Sequence, residues 1–206
     1  MKRLYLLRHG QTEFNVKKLV QGRCNSPLTD LGRQQAKMAA AWLKAHDVVP
    51  DKVVSSPLGR AMDTASLVAA ELLGPDADIE PCEGLIERCY GTFEECPHYA
   101  LPTDVWDPGE DLAPFGGEGS RALQERMVAT LTNLMNAKDT ATLLAVSHGS
   151  ASRQFIKAAS PEGFELPAKL PNCAIMVFAF DDTREEDDTP QCKFTLQQIV
   201  DPQQSN

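Results

Sequence analysis

The 206-residue sequence is poor in aromatic side chains (6%) and short of positive charge, with 20 Lys and Arg against 29 Asp and Glu and a formal net charge of -9. That deficit argues against generic binding to nucleic acid or to an anionic membrane surface, because polyanions are repelled unless a local basic patch overrides the field. An anionic ligand therefore needs a focused cationic pocket. No apolar run reaches the ~20 residues that cross a bilayer, and the stretch after Met1-Lys2-Arg3 is too short for a signal h-region. The expected location is the cytoplasm. The six cysteines include no C-x-x-C pair, so reduced free thiols are expected rather than disulfides. Cys82, Cys89 and Cys96 are evenly spaced, but Gly84, Gly91 and Pro97 interrupt any helix that would align them, and no metal site is expected.

What is present suits an ordinary globular chain: 42% hydrophobic and 24% charged residues, with no composition break, internal repeat or linker. A single α/β domain over residues 1–206 is the economical expectation. Arg3 to Leu7, Lys52 to Val54 and Thr142 to Val146 read as strands, and Ala174 to Phe180 and Lys193 to Val200 as two more. The acidic run Asp181 to Asp188 would be a solvated hairpin loop between the last two. Thr29 is a good cap for a helix carrying Leu31, Met38, Trp42 and Leu43. Ser56, with Pro57 behind it, would cap a second helix and Ser120 a third bearing Leu123, Met127, Leu131 and Leu134, while Ser152 to Ala159 would be a fourth. Alternating strands and helices predict a mainly parallel sheet covered on both faces, with the site outside the carboxyl ends of its strands.

Three charged motifs fall at such ends: Arg8-His9, Ser55 to Arg60, and Ser147-His148. Between them they offer what a phosphate monoester needs. Arg8 and Arg60 present planar forks to phosphate oxygens, and Arg60 falls in the first turn of its helix, near the positive end of the dipole. A neutral His9 whose second nitrogen donates to a carbonyl can attack phosphorus, and His148 can add a donor or charge as the transition state develops.

The run Leu7-Arg8-His9-Gly10-Gln11-Thr12-Glu13-Phe14-Asn15 resembles the signature of the histidine phosphatase superfamily, which includes cofactor-dependent phosphoglycerate mutases. Gln21-Gly22 with Ser26-Pro27-Leu28-Thr29, then Ser55 to Ala61, Gly116-Gly117-Glu118 and Val146-Ser147-His148-Gly149 follow in that family's order, so the resemblance covers nearly the whole chain. It implies a phosphoglycerate mutase-like fold, His9 as nucleophile, and a phosphate pocket of Arg8, Arg60 and His148. Asn15 would be a further contact, with Gln21 and Gly22 beside the substrate. Leu85-Ile86-Glu87, followed by Gly91-Thr92-Phe93-Glu94, is similar to the family's acid-bearing segment and implies Glu87 as general acid and then base; Glu13, Glu94 and Glu118 are the other acids such a site could use. Glu95 stands where the family usually has glycine and Gly119 where it usually has serine, departures that bear on substrate fit.

The expected activity is metal-independent hydrolysis of a small phosphorylated metabolite through a phosphohistidine, with no cofactor. The alternatives are a phosphoglycerate mutase, for which 2,3-bisphosphoglycerate would be the cofactor, and a non-catalytic phospholigand sensor. Residues 88–119, with four prolines and no sustained period, are far longer than a usual connection of about five residues and read as a lid or selectivity segment. Its Tyr90, Phe93, Tyr99, Trp106 and Phe115 either line a pocket or pin the loop to the body. His46 and His98, without partner motifs, are assigned to structure or solvent. Oligomeric state leaves no trace in the sequence.

Overall fold

The computed structural model describes residues 2–160, 164–167, 169–181 and 193–204. In chain order these form β1 (Lys2–Arg8), α1 (Glu13–Lys17), α2 (Asp30–Ala45), β2 (Lys52–Ser55), α3 (Gly59–Leu73), β3 (Glu80–Pro81), α4 (Ser120–Asn136), β4 (Thr142–Ser147), α5 (Gly149–Ala159), β5 (Ile175–Phe180) and β6 (Phe194–Val200), with short 3-10 turns between Glu83 and Phe115. The strands make one sheet in the order β3-β2-β4-β1-β5-β6. The first four are parallel, and β5 and β6 close one side antiparallel. The fold is single-domain α/β, as the sequence implies. The two-residue β3 is an edge strand that ends on Pro81, where a missing N–H costs least.

Successive strand residues point to opposite faces, so each strand feeds two cores. Leu4, Leu6, Leu143, Ala145 and Phe178 pack with Leu123, Met127, Leu131 and Phe155 of α4 and α5. Tyr5, Leu7, Leu144, Val146 and Ile175 pack with Ala36, Ala39, Ala40 and Leu43 of α2 and Ala61, Ala65, Val68 and Ala69 of α3. The alanines change the expected stripe on α2. Leu31 and Met38 are exposed, because the small face lets α3 approach closely and turns the larger side chains out to the flank.

Thr29 caps α2 by accepting from the Gly32 N–H at 3.0 Å, as its residue type predicts. The other two expected caps are not caps. Helix α3 begins at Gly59 after Leu58, and α4 begins after Gly119; neither has a side-chain cap. Ser56 instead faces a buried histidine and Ser120 accepts from a buried arginine. Tertiary partners have taken both hydroxyls. Helix α5 starts three residues earlier than expected, directly behind His148. Of the acidic hairpin run only Asp181 lies among the described residues.

Residues 82–119 carry no long element, yet they have a core of their own: Tyr90, Leu101 and Leu112 gather on Val20, with Phe93 and Val105 partly buried against them. Glu95 adopts φ 67, the left-handed region that disfavours side chains and suits the glycine usual at this position.

Two stability measurements follow. Phe155 is fully buried, with its ring edge-on to Phe178 and Phe194 at 4.9 and 5.0 Å; Phe155→Ala is expected to cost about 3–5 kcal/mol in urea unfolding. Glu95→Gly, which relieves the left-handed backbone at some cost in chain entropy, is expected to raise stability by about 0.5–1 kcal/mol in the same assay.

Candidate active site

Register brings the motifs together. Arg8 pairs with Ser147 across β1 and β4, and Ser55 pairs with Val146 across β2 and β4, so three parallel strands end in line. The ladder runs one step past the strands: His9 N–H donates to the Ser147 carbonyl at 3.0 Å and Ser56 N–H to the Val146 carbonyl at 2.9 Å. His9, His148 and Ser56 are therefore neighbours. The two imidazole centroids lie 5.2 Å apart, and His148 Nε2 is 2.7 Å from Ser56 Oγ.

His9 Nδ1 lies 2.7 Å from the Gly10 carbonyl. A carbonyl only accepts, so Nδ1 carries the proton and Nε2 keeps its lone pair. Burial, then Arg60, then Arg8 push the His9 pKa well below the ordinary histidine value, more than the Gly10 bond raises it. Burial, Arg60, His9 and Arg8 do the same to His148. Both rings are neutral at neutral pH. The arginines stay charged, although burial lowers each to about 10.

Arg60 donates to the carbonyls of Cys24 and Gly22, each at 2.7 Å, and Arg8 donates to that of Leu170. Arg8 Nε, Arg60 Nε and His148 Nδ1 are buried and have no hydrogen-bond partner. An unpaired buried donor costs about 1–3 kcal/mol, and oxygens of a phosphoryl group beside His9 would offset that cost. Thr64 of α3 ties the pieces together, accepting from Gly10 N–H at 3.1 Å and donating to the Arg60 carbonyl at 2.7 Å.

Glu87 lies at the N-terminus of α5. Its Oε1 accepts from the Arg88 and Ala151 amides at 2.8 and 2.9 Å, and its Oε2 from the Ser150 amide at 3.1 Å. The chain leading to it is clamped from below: Arg126 donates to the Gly84 and Ile86 carbonyls, both at 2.9 Å, and Ser147 Oγ to that of Leu85 at 2.8 Å. The fully buried Arg88 guanidinium joins Ser150, Ser120 and the carbonyls of Gly109 and Glu118.

A cavity of about 220 Å³ opens on this group. Arg8, His9, Asn15, Gln21, Gly22, Arg60 and Glu87 all line it; His148, fully buried, lies beside His9 rather than on the wall. Among the described residues, Glu87 is the sole carboxylate on the wall. Of the alternative acids, Glu94 accepts from the Arg23 and Tyr90 amides, Glu118 pairs with Arg126 at 2.8 Å, and Glu13 sits 3.8 Å from Lys17 on the surface. Asn15 Oδ1 is occupied by the Thr12 amide, in a capping box, and by Asn172. Its amide nitrogen is the side-chain group left for a ligand. Gly22 has φ 49, and a Cβ there would meet the Glu94 carboxylate at 2.2 Å, so a side chain would strain this turn and displace Glu94.

Residues 88–119 supply Tyr90, His98, Val105 and Trp106 to the wall. His98, assigned from sequence to structure or solvent, is therefore on the cavity, and its ring also reaches the Leu19 carbonyl. Asn172, Lys18 and Lys169 line the cavity too and were not singled out from sequence. Asn172 arrives because antiparallel β5 starts where β1 ends; its amide donates to the His9 carbonyl at 3.2 Å. No local pattern marks such a residue. Asp107 anchors the segment to α5 through Gln154 and Lys157. Cys24, Cys82, Cys89, Cys96 and Cys173 are free thiols.

The neutral histidines set the sign of a pH effect. Below about 6.5 the unfolded chain takes up protons that folded His9 and His148 refuse, so stability falls as pH falls through that value. Urea unfolding of the His9→Gln, His148→Gln double variant should show a shallower loss over that range than the wild type, and equal slopes would refute the assignment.

The sequence profile of the histidine phosphatase superfamily (branch 1) matches residues 4–189. A probable phosphoglycerate mutase of Proteus mirabilis is 32% identical over 184 residues, covering 85% of this chain and 83% of its own. A broad-specificity phosphatase of Saccharomyces cerevisiae is 32% identical over 166 residues, 75% of this chain and 69% of its own. Among solved structures, a phosphoserine phosphatase variant of Entamoeba histolytica in complex with phosphoserine superposes with a TM-score of 0.76 at 27% identity, covering 98% of each chain. YhfR of Bacillus stearothermophilus gives 0.77 at 28% identity, covering 88% of this chain and 93% of that one. On motif, fold and profile alike, this chain belongs to the histidine phosphatase superfamily.

Proposed function

We propose that the chain is a metal-independent phosphatase that hydrolyses a small phosphate monoester through a phosphohistidine on His9. The observation that carries this reading is the His9 to Gly10 bond, which leaves a neutral imidazole with a free Nε2 lone pair in a cationic cavity whose wall also carries the Glu87 carboxylate. Nε2 attacks phosphorus as the bond to the leaving oxygen breaks, and protonated Glu87 gives its proton to that oxygen. Water then attacks the phosphoryl group, Glu87 takes its proton, and the N–P bond breaks to release phosphate and restore His9. Arg8 and Arg60, with His148 behind, stabilise the charge on the transferring oxygens. The cavity, about 220 Å³, suits a compact ester.

Relatives named as mutases favour a second reading. The same phosphohistidine would then pass its group to a hydroxyl of a bound phosphoglycerate, with 2,3-bisphosphoglycerate as the source of the priming phosphoryl group. The first half-reaction is common to both readings, and they part at the acceptor.

Phosphate release from a panel of small monoesters, with chelator present, tests the choice. His9→Ala is expected to lose at least about a thousandfold in rate and to form no acid-labile phosphoenzyme. Glu87→Gln is expected to lose about 10²–10⁴ on alkyl esters but much less on p-nitrophenyl phosphate, whose leaving group needs no proton. Mutase turnover with little phosphate release would favour the second reading. Tight ester binding with neither turnover nor labelled His9 would make the chain a phospholigand sensor.

A further inference from the structure

The peptide unit joining Gly10 to Gln11 is held at both ends. Its carbonyl accepts from His9 Nδ1 at 2.7 Å, and its N–H donates to Gln35 Oε1 at 2.9 Å. Gln35 is buried on the face of α2 that otherwise turns Gly32, Ala36, Ala39, Ala40 and Leu43 inward, and the reaction proposed above gives it no part. Helix α2 presses on this peptide: a Cβ on Gly32 would collide with the Gln11 carbonyl, which also accepts from the Thr29 amide at 2.9 Å. Behind Gln35 the bonds continue. Gln35 Nε2 donates to Gln203 Oε1 at 2.9 Å, and Gln203 Nε2 donates to Asp201 Oδ1 at 3.1 Å and to the Asn172 carbonyl at 3.3 Å.

The chemistry of the two ends fixes the direction of the whole line. The Gln11 N–H only donates, while the Asn172 carbonyl and an ionised Asp201 only accept, so each side-chain amide between them has one orientation. Three amides therefore lie head to tail, those of Gln203, Gln35 and the Gly10–Gln11 peptide, running from a carboxylate to the hydrogen on His9 Nδ1. In a trans peptide the C=O and N–H point opposite ways, and each bond in such a chain strengthens the next by about 10–30%. The Gly10 carbonyl is thus a better acceptor than an isolated one. His9 needs that most once Nε2 has bonded to phosphorus and the ester bond has broken, because the ring, still protonated at Nδ1, then carries positive charge. Asn172 closes the circuit by donating to the His9 carbonyl at 3.2 Å, so ring and backbone of His9 are both tied to the turn after β6.

We propose that Gln35 and Gln203 are positioning residues for His9, an amide relay that carries the pull of Asp201 to Nδ1, fixes the ring and stabilises the charge it gains on phosphorylation. The stabilisation of charge rests on His9 being the nucleophile; the hold on the ring does not.

Nitrogen-15 histidine labelling of the full-length protein reads the relay without turnover, since the chain has four histidines and His46 and His98 serve as internal references. The His9 Nδ1–H proton, identified by its loss in His9→Gln, should move upfield in Gln203→Met and further in Gln35→Met, while the reference histidines and the circular dichroism spectrum stay unchanged. Gln35→Glu keeps an oxygen on the Gln11 N–H and should leave the proton at or downfield of its wild-type position. In a single turnover of p-nitrophenyl phosphate with enzyme in excess, Gln35→Met is expected to lose about tenfold in maximal rate with half-saturation changed less than about twofold, and Gln35→Glu to recover most of that loss. Should Gln35→Met fail to fold, Gln203→Met, at a half-buried position after the last strand, carries both tests with a smaller effect. A His9 proton that stays in place in the methionine variants, a shift with no change in rate, or a Gln35→Glu variant as slow as Gln35→Met overturns the relay. If the wild type forms no phosphoenzyme, the phosphohistidine reading falls instead, and the proton shift alone decides whether the relay holds the ring.

Discussion

The Arg60 guanidinium is held by two backbone carbonyls, those of Gly22 and Cys24, and among the described residues no carboxylate pairs with it. Arg8 is held the same way by Leu170. A buried carboxylate partner would neutralise each cation and occupy its fork, whereas a carbonyl satisfies donors and leaves the full charge in place. Everything around the cavity follows from keeping two buried guanidiniums charged and partly unpaired. The loop from Gln21 to Cys24 must turn its carbonyls inward, which requires the left-handed Gly22. The imidazoles beside them must stay neutral, since a third and fourth charge would be repelled, and that neutrality leaves His9 an unprotonated Nε2.

Two further arginines solve a related problem one layer out. Residues 82–119 are irregular, so their carbonyls lack the partners that a helix or sheet would supply. Arg126 takes those of Gly84 and Ile86, and Arg88 those of Gly109 and Glu118. In doing so they fix Glu87 at the first turn of α5 and seat the segment that walls the cavity. The wall and the carboxylate are thus joined mechanically: residues that shape the cavity are fastened to the same helix terminus that holds Glu87.

Much of this was legible in the chain. Arg8, His9, Arg60 and the end of β4 could be placed on one sheet edge, because apolar runs mark strands and a parallel α/β sheet presents its strand ends together. Glu87 emerged only through the resemblance, since nothing local distinguishes it from the other acids. The serines at 56 and 120 misled for a definite reason. A hydroxyl before a helix is worth about 1 kcal/mol as a cap, and a buried imidazole or guanidinium competes for it on better terms. Leu31 and Met38 misled because hydrophobicity ranked them above the alanines that in fact let α2 and α3 close. His98 was set aside for want of a motif, and its place on the wall depends on a loop whose path no periodicity encodes.

By itself, then, the sequence determined the fold class and the strand ends that bring a histidine together with two cations, because these rest on local hydrophobic period and on motifs within one strand-to-helix turn. Tertiary structure alone decided which carboxylate lines the cavity and that Asn172, Lys18, Lys169 and Trp106 join it there. Those facts depend on contacts between residues far apart in the chain, made by an antiparallel strand and an irregular segment, and such contacts leave no periodic trace in the order of amino acids.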